Sequence, residues 1–181
     1  MPKLLVLFHS RSPDVIALAE AAADGARSVR FAEVDLRRLG ESDASARAAT
    51  EGAGRAHRTL DQIEDIAAYD GLIVALPDAG DAIVTRALGA LSGSLVNKVG
   101  SVVTPAEGVE RTTLVWSALT PMADRGMILV PAPFANTDEP SGEWARRLGK
   151  RVAEVIGWVT HARSHHHDEP QPHDHHAHHQ H

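Results

Sequence analysis

Short, continuously apolar runs alternate along this chain with segments of helical periodicity, and that alternation limits the fold more than any other feature. Residues 3–9 form the first run. Leu4, Leu5, Val6, Leu7 and Phe8 in succession leave no polar face, which suits a strand covered on both sides. From Pro13 onward, Val15, Leu18, Ala19, Ala22 and Ala26 recur at helical spacing, with Ser12 placed as the cap and Pro13 in the first turn. Residues 29–36 alternate as a second strand. The pattern resumes with a strand over 71–76, a loop over 77–81 and a helix over 82–91. A fourth strand is expected over 99–104. After it Val115, Leu119 and Met122 line one face of a helix that stops at Gly126, and a fifth strand covers 127–131. Trp144, Leu148, Val152, Val155 and Val159 mark the last helix. Strands that alternate with helices through short turns imply a doubly wound parallel sheet with helices on both faces.

Composition narrows the class further. At 181 residues and 43% hydrophobic, the chain has enough apolar material for one core. The absence of cysteine excludes disulfides, a thiolate nucleophile and thiolate-bound metal. With 18 Lys and Arg against 24 Asp and Glu, and no basic run, nucleic acid is not an expected partner. The apolar run at 4–8 is shorter than a signal-peptide core and no stretch is long enough to span a membrane, so a cytoplasmic location is expected. Residues 37–59, rich in Ala, Gly, Ser, Arg and Glu, read as a long, partly helical and mobile connection.

In doubly wound sheets, ligands sit beyond the carboxyl ends of the strands, where the strand order reverses. Here those ends fall at residues 10–14, 77–81 and 104–108. The first loop, Ser10-Arg11-Ser12-Pro13-Asp14, joins a buried strand to a helix N-terminus, where free N–H groups and the helix dipole favour an anion such as phosphate. The competing reading makes Ser12 a simple cap and Arg11 a solvated side chain. Pro13 removes one amide and Asp14 adds a negative charge. His9 ends a strand without a partner Ser or Cys and reads as a satisfied polar side chain. Trp116 and Trp158 fall within helical patterns and read as packing residues.

Several segments carry a family resemblance: Leu5-Val6-Leu7-Phe8-His9-Ser10, Tyr69-Asp70-Gly71-Leu72-Ile73, Lys98-Val99-Gly100-Ser101-Val102, Gly126-Met127-Ile128-Leu129-Val130-Pro131 and Arg147-Leu148-Gly149-Lys150-Arg151-Val152-Ala153. In order and spacing the chain resembles the WrbA-type NAD(P)H:quinone oxidoreductases, which are flavodoxin-like proteins that bind FMN. The resemblance implies a five-stranded sheet of order 2-1-3-4-5 over residues 1–163. It also implies FMN as cofactor, NAD(P)H and a quinone as substrates, and a homo-oligomer, dimer or tetramer. By its terms Ser10, Arg11, Ser12, Asp14 and Val15 hold the FMN phosphate, the last three mainly through backbone amides. The loop against the flavin ring corresponds to Leu76 and Pro77, Asp78, Ala79 and Gly80, and the third loop to Thr104, Pro105, Ala106, Glu107 and Gly108. No side chain stands out as a catalytic acid or base.

The chain departs from the family pattern at several points. The phosphate-loop Gly is Pro13 and the residue after it is Asp14. The second loop lacks the family's Arg-Phe pair, and with it an aromatic wall. A Gly-Gly-Leu-Trp segment expected near 91–94 is absent, the third loop is short and carries Glu107, and a Gly-rich insertion is reduced to residues 135–140. These departures keep open a flavin-free relative that serves binding or assembly.

Residues 164–181 differ from everything before them. Nine of these eighteen are His and none is large and apolar, so the segment is expected to be a disordered tail. His165, His166, His167, His173, His175, His176, His178, His179 and His181, with Asp168, Glu169 and Asp174 between them, are suitable ligands for Ni²⁺ or Zn²⁺. An expression tag is ordinarily an uninterrupted run, and the interruptions here favour a natural tail, with metal storage or delivery as a further role.

Overall fold

The structure is a computed structural model that describes residues 1–10, 12–39, 57–60, 62–77, 86, 88–89, 93–132 and 140–165. Among these residues six parallel strands form one sheet: β1 (Lys3–Phe8), β2 (Glu33–Leu39), β3 (Arg58–Leu60), β4 (Gly71–Ala75), β5 (Val99–Val103) and β6 (Ile128–Leu129). Their spatial order is β3-β2-β1-β4-β5-β6. Helix α1 (Pro13–Arg27) follows β1, α2 (Gly108–Asp124) follows β5 and α3 (Ser141–His165) follows β6, while a 3-10 helix (Ile63–Ala68) leads into β4.

The apolar runs became strands because both of their faces are covered. β4 and β5 are buried at every position, and β1 at all but Lys3. Leu4, Val6 and Phe8 pack into a core with α1 and α3, whereas Leu5 and Leu7 point to the opposite core, with Leu119 and Met122 of α2. A period of two along one strand thus feeds two hydrophobic layers. Val115, Ala118, Leu119 and Met122 are the buried face of α2, and Gly126 just beyond it adopts a positive φ of 81° that ends the helix.

Three expectations need correction. The sheet has six strands rather than five in the order 2-1-3-4-5, because Arg58–Leu60 adds an edge strand that pairs with Arg37, Arg38 and Leu39. With only Leu60 buried, a three-residue strand leaves no periodic signal inside a polar stretch. The second strand begins at Glu33 rather than Val29, since residues 28–31 make turns after α1 and Phe31 sits at a φ of 71°, which breaks an extended run. Trp116 and Trp158 do not pack in the core. They are 53% and 69% exposed, because the buried faces of their helices run through Leu119 and Met122 and through Leu148, Val152 and Ile156.

The expected helix over 82–91 lies mostly outside the described residues, although Arg86, Leu88 and Gly89 are helical. α3 runs two residues into the segment read as a tail, through Ser164 and His165, and residues 166–181 lie outside the described residues. No helix among the described residues is long and apolar enough to cross a membrane.

Two polar clusters fasten the sheet at its margins. Asp35 accepts hydrogen bonds from the Tyr69 hydroxyl at 2.6 Å and from Arg37 at 3.0 Å, tying β2 to the entry of β4. The Tyr69 bond holds the Asp35 carboxyl below its ordinary value, while burial beside that carboxylate pushes the Tyr69 phenol up to about 12. Lys98 donates to the Ala67 and Tyr69 carbonyls at 2.8 and 2.6 Å, holding the end of the 3-10 helix against the start of β5.

On one face, α1 and α3 meet backbone to backbone. A Cβ added at Gly25 would strike the Arg146 carbonyl, and one added at Gly149 would strike the Ala22 carbonyl. In each case the obstacle is main chain, which cannot swing aside. Gly25→Ala should therefore lower stability by about 1–3 kcal/mol through overpacking, although helix propensity alone favours Ala by about 1 kcal/mol. Urea denaturation of Gly25→Ala beside Gly157→Ala, where a Cβ meets open space, checks this. A Gly25→Ala variant more stable than the parent would contradict it.

Candidate functional site

The ladder register brings the three expected loops to one edge. Phe8 lies opposite Ala75 and Ala75 opposite Val103, so the chain leaves β1, β4 and β5 at the same level. The Leu76 amide extends the pairing by donating to Val103 at 2.9 Å. From β1 the chain winds outward to β2 and β3 on one side, and from β4 to β5 and β6 on the other. The reversal, and the crevice it creates, lies between β1 and β4.

At the first loop Ser10 Oγ accepts from the Ser12 amide at 3.0 Å, which shapes the approach to α1. Ser12 is the N-cap by position, yet its hydroxyl makes no capping bond. The first intrahelical bond runs from the Ile16 amide to the Ser12 carbonyl. The amides of Asp14 and Val15 therefore have no carbonyl one turn earlier to receive them, and Pro13 has no N–H at all. Two amides and two hydroxyls remain to meet an anion, with the Asp14 carboxylate beside them. The Val15 side chain is fully buried, so its contribution is through the backbone. Arg11 lies outside the described residues.

The third loop is buried at its start and exposed at Glu107 and Gly108. Thr104 and Ala106 are buried, and Thr104 Oγ1 accepts from the Ala106 amide at 3.3 Å. Glu107 stands at the N-cap of α2, and Arg111 Nε donates to the Ala106 carbonyl at 2.6 Å. In the second loop Pro77 is partly buried, and Asp78, Ala79 and Gly80 lie outside the described residues.

Asp14, Thr104, Pro105, Glu107 and Gly108 come together around a cavity of about 490 Å3, which Arg111, Ser141, Gly142 and Trp144 also line. Ser10, Ser12, Val15, Pro77 and Ala106 do not line it. The last four of its lining residues were not singled out from the sequence. Trp144 served there only as a helix marker, and the available signal was an aromatic at the start of a helix that follows a strand end.

His9 is buried, with Nδ1 3.2 Å from the Leu39 carbonyl. A carbonyl only accepts, so this contact makes Nδ1 the protonated ring nitrogen and joins β1 to the end of β2. The tail histidines expected to bind metal lie outside the described residues apart from His165, which closes α3. Among the described residues, no group of three or more His, Asp or Glu is placed to hold a metal ion.

The fold and its loop edge define a flavodoxin-like α/β protein. A flavodoxin from Streptococcus pneumoniae superposes with a TM-score of 0.59 at 17% identity over 84% of this chain and 98% of its own. Flavodoxin 2 from Bacillus cereus gives 0.57 at 18% identity over 86% and 98%. No family model matches the chain. In sequence it is 34% identical over 160 residues to an NAD(P)H dehydrogenase (quinone) of Acidithiobacillus ferrooxidans, covering 78% of this chain and 79% of that one. It is 32% identical over 158 residues to a protein of the same name from Azorhizobium caulinodans, covering 78% and 76%. The chain belongs to the NAD(P)H dehydrogenase (quinone) family.

Removing the carboxylate beside the free amides should strengthen anion binding. Asp14→Asn is expected to tighten inorganic phosphate roughly two- to fivefold, the size of a charge effect at a helix terminus. Phosphate titration followed through the amide resonances of positions 14 and 15 reads this out, and unchanged or weaker binding would count against the loop as an anion site.

Proposed function

We propose that the chain is an FMN-dependent NAD(P)H:quinone oxidoreductase of the WrbA type, working as a homo-oligomer in the cytoplasm. One observation carries the reading: three strands end level at the carboxyl edge beside the strand-order reversal, and the first loop offers the amides of Asp14 and Val15 with the Ser10 and Ser12 hydroxyls. That donor set suits a phosphate monoester. Membership in the quinone dehydrogenase family supports the same conclusion.

In this reading Ser10 and Ser12 hold the phosphate through their hydroxyls, and Asp14 and Val15 through their amides. The loop of Thr104, Pro105, Ala106, Glu107 and Gly108 bounds one side of the ring pocket, and Leu76 and Pro77, with Asp78, Ala79 and Gly80, bound the other. Thr104 and Ala106 are buried and keep water from that wall. FMN supplies two-electron transfer from a reduced nicotinamide to a quinone, giving the oxidised nicotinamide and the hydroquinone with uptake of one proton. No side chain is required as acid or base, since the hydroquinone oxygens can take protons from water. The protein's part is to bind, orient and exclude solvent. The histidine-rich tail is proposed as a separate Ni²⁺ or Zn²⁺ ligand.

A second reading rests on Pro13 and Asp14, which weaken the phosphate loop: a flavin-free relative that keeps the scaffold for binding or assembly. Steady-state assay of FMN-loaded protein with NADH or NADPH and 1,4-benzoquinone separates the two. Turnover that depends on added FMN is expected, and its absence with both nicotinamides would favour the flavin-free relative.

A further inference from the structure

The last helix outruns the sheet that it covers. α3 has 25 residues, about 37 Å at 1.5 Å per residue, whereas no strand among the described residues exceeds seven, about 23 Å. Near Ile156 the helix passes the amino edge of the sheet: a Cβ added at Gly71, the first residue of β4, would strike the Ile156 side chain. Val159 still packs against the core and Thr160 is half-buried, so the helix is anchored up to its final turn.

Each residue of an α-helix is turned roughly 100° from the one before it. Lys150, Glu154, Trp158, His161 and His165 therefore share one stripe, opposite the buried face of Leu148, Val152 and Ile156. The stripe faces outward. Lys150 pairs with Glu154 along it at 4.0 Å, Trp158 is 69% exposed and His161 is exposed. Arg163 stands on the other side of the helix, toward Lys98, whose ammonium is lowered by burial and further by the Arg163 charge. That guanidinium does not face the two histidines.

Positions 161 and 165 are four apart, which sets one above the other with about 6 Å between Cβ atoms. Two histidines at that spacing on one helical face can reach a single ion. The anchored helix holds the spacing before any ion arrives. Nitrogen donors suit Cu²⁺, Ni²⁺ and Zn²⁺, whereas Mg²⁺ and Ca²⁺ prefer oxygen. No cysteine competes for the metal, and eight further histidines follow within the sixteen residues after His165, close at hand in sequence to complete a coordination shell.

We propose that His161 and His165 form a two-imidazole seat for a divalent transition-metal ion on the outer face of α3. The seat lies about 25 Å along the helix from Trp144 and is independent of the oxidoreductase reading. It also differs from metal binding by the tail alone, because His161 belongs to the folded body.

Ni²⁺ titration of two full-length proteins separates seat from tail: the unsubstituted chain, and a tail variant in which the eight histidines of residues 166–181 are changed to Gln. The tail variant keeps His161 and His165 besides His9, which is buried, and His57, which pairs with Glu20 at 3.5 Å. By calorimetry it should take up one Ni²⁺ per chain. Trp158, one turn before His161, reports where the ion sits, since a bound paramagnetic ion quenches a neighbouring indole. Within the tail variant, His161→Gln and His165→Gln should each weaken Ni²⁺ by at least about tenfold, because a single imidazole loses the gain of the linked pair. Trp158→Phe should abolish the quenching and leave the calorimetric affinity unchanged. Circular dichroism establishes that each variant keeps its fold. His161→Gln binding as tightly as the tail variant itself, or quenching of equal depth in Trp158→Phe, would overturn the seat. No Ni²⁺ bound by the tail variant would also overturn it, and uptake by the unsubstituted chain would then assign the metal to residues 166–181 alone.

Discussion

The close approach of α1 to α3 governs the geometry on which the rest of the molecule depends. Two glycines, Gly25 and Gly149, let each helix lay its backbone against a carbonyl of the other, at Arg146 and Ala22. The surrounding side chains are small: Ala19, Ala22, Ala23 and Ala26 of α1 and Ala145 and Ala153 of α3 are all buried. Alanines bury little area each, so the contact gains its energy from close packing along the helices rather than from a few large side chains. Its consequence is positional. With the helix bodies locked together over β1 and β4, the starts of α1 and α3 are held beside the β5–α2 loop, and a cavity opens between Asp14 and Trp144.

Much of this was legible in the sequence, for physical reasons. A strand buried on both faces must be apolar throughout, so β1 and β4 stand out, and a helix covering a sheet must repeat its apolar residues every three or four positions, as α1 and α2 do. What escaped was structure without periodic burial. β3 is three residues at a sheet edge with one buried side chain, and its partners Arg37 and Arg38 look like loop residues until Asp35 is seen to neutralise Arg37. The turn before β2 depends on a left-handed Phe31, which composition does not announce. Trp116 and Trp158 mislead because large aromatics are ordinarily core residues, yet a helix places position 116 well away from the face defined by Val115, Leu119 and Met122.

The site shows the same division. Loop positions follow from where strands end, so it could be expected without knowledge of the fold's details that the first and third loops leave the sheet at one edge, as the register of β1, β4 and β5 has it. Their partners could not be expected: Trp144 is far from those loops in sequence and reaches the cavity only through the packing of α3, and Arg111, three residues past Gly108, reads from sequence as an ordinary helix residue. Under the proposed reading, Pro13 and Asp14 weaken the first loop as an anion site without abolishing it: the amides of Asp14 and Val15 and two serine hydroxyls persist. Family membership and loop geometry therefore support the same proposal, while the local chemistry bears on how tightly that loop would hold an anion.

The most direct test of that account is a titration of the purified chain with FMN, followed by flavin absorbance and quenching of flavin fluorescence. The account predicts saturable uptake approaching one FMN per chain, with perturbed flavin bands that mark a ring removed from water. Fluorescence that stays at the free-flavin level at every protein concentration would contradict it and leave a flavodoxin-like scaffold that has lost its cofactor.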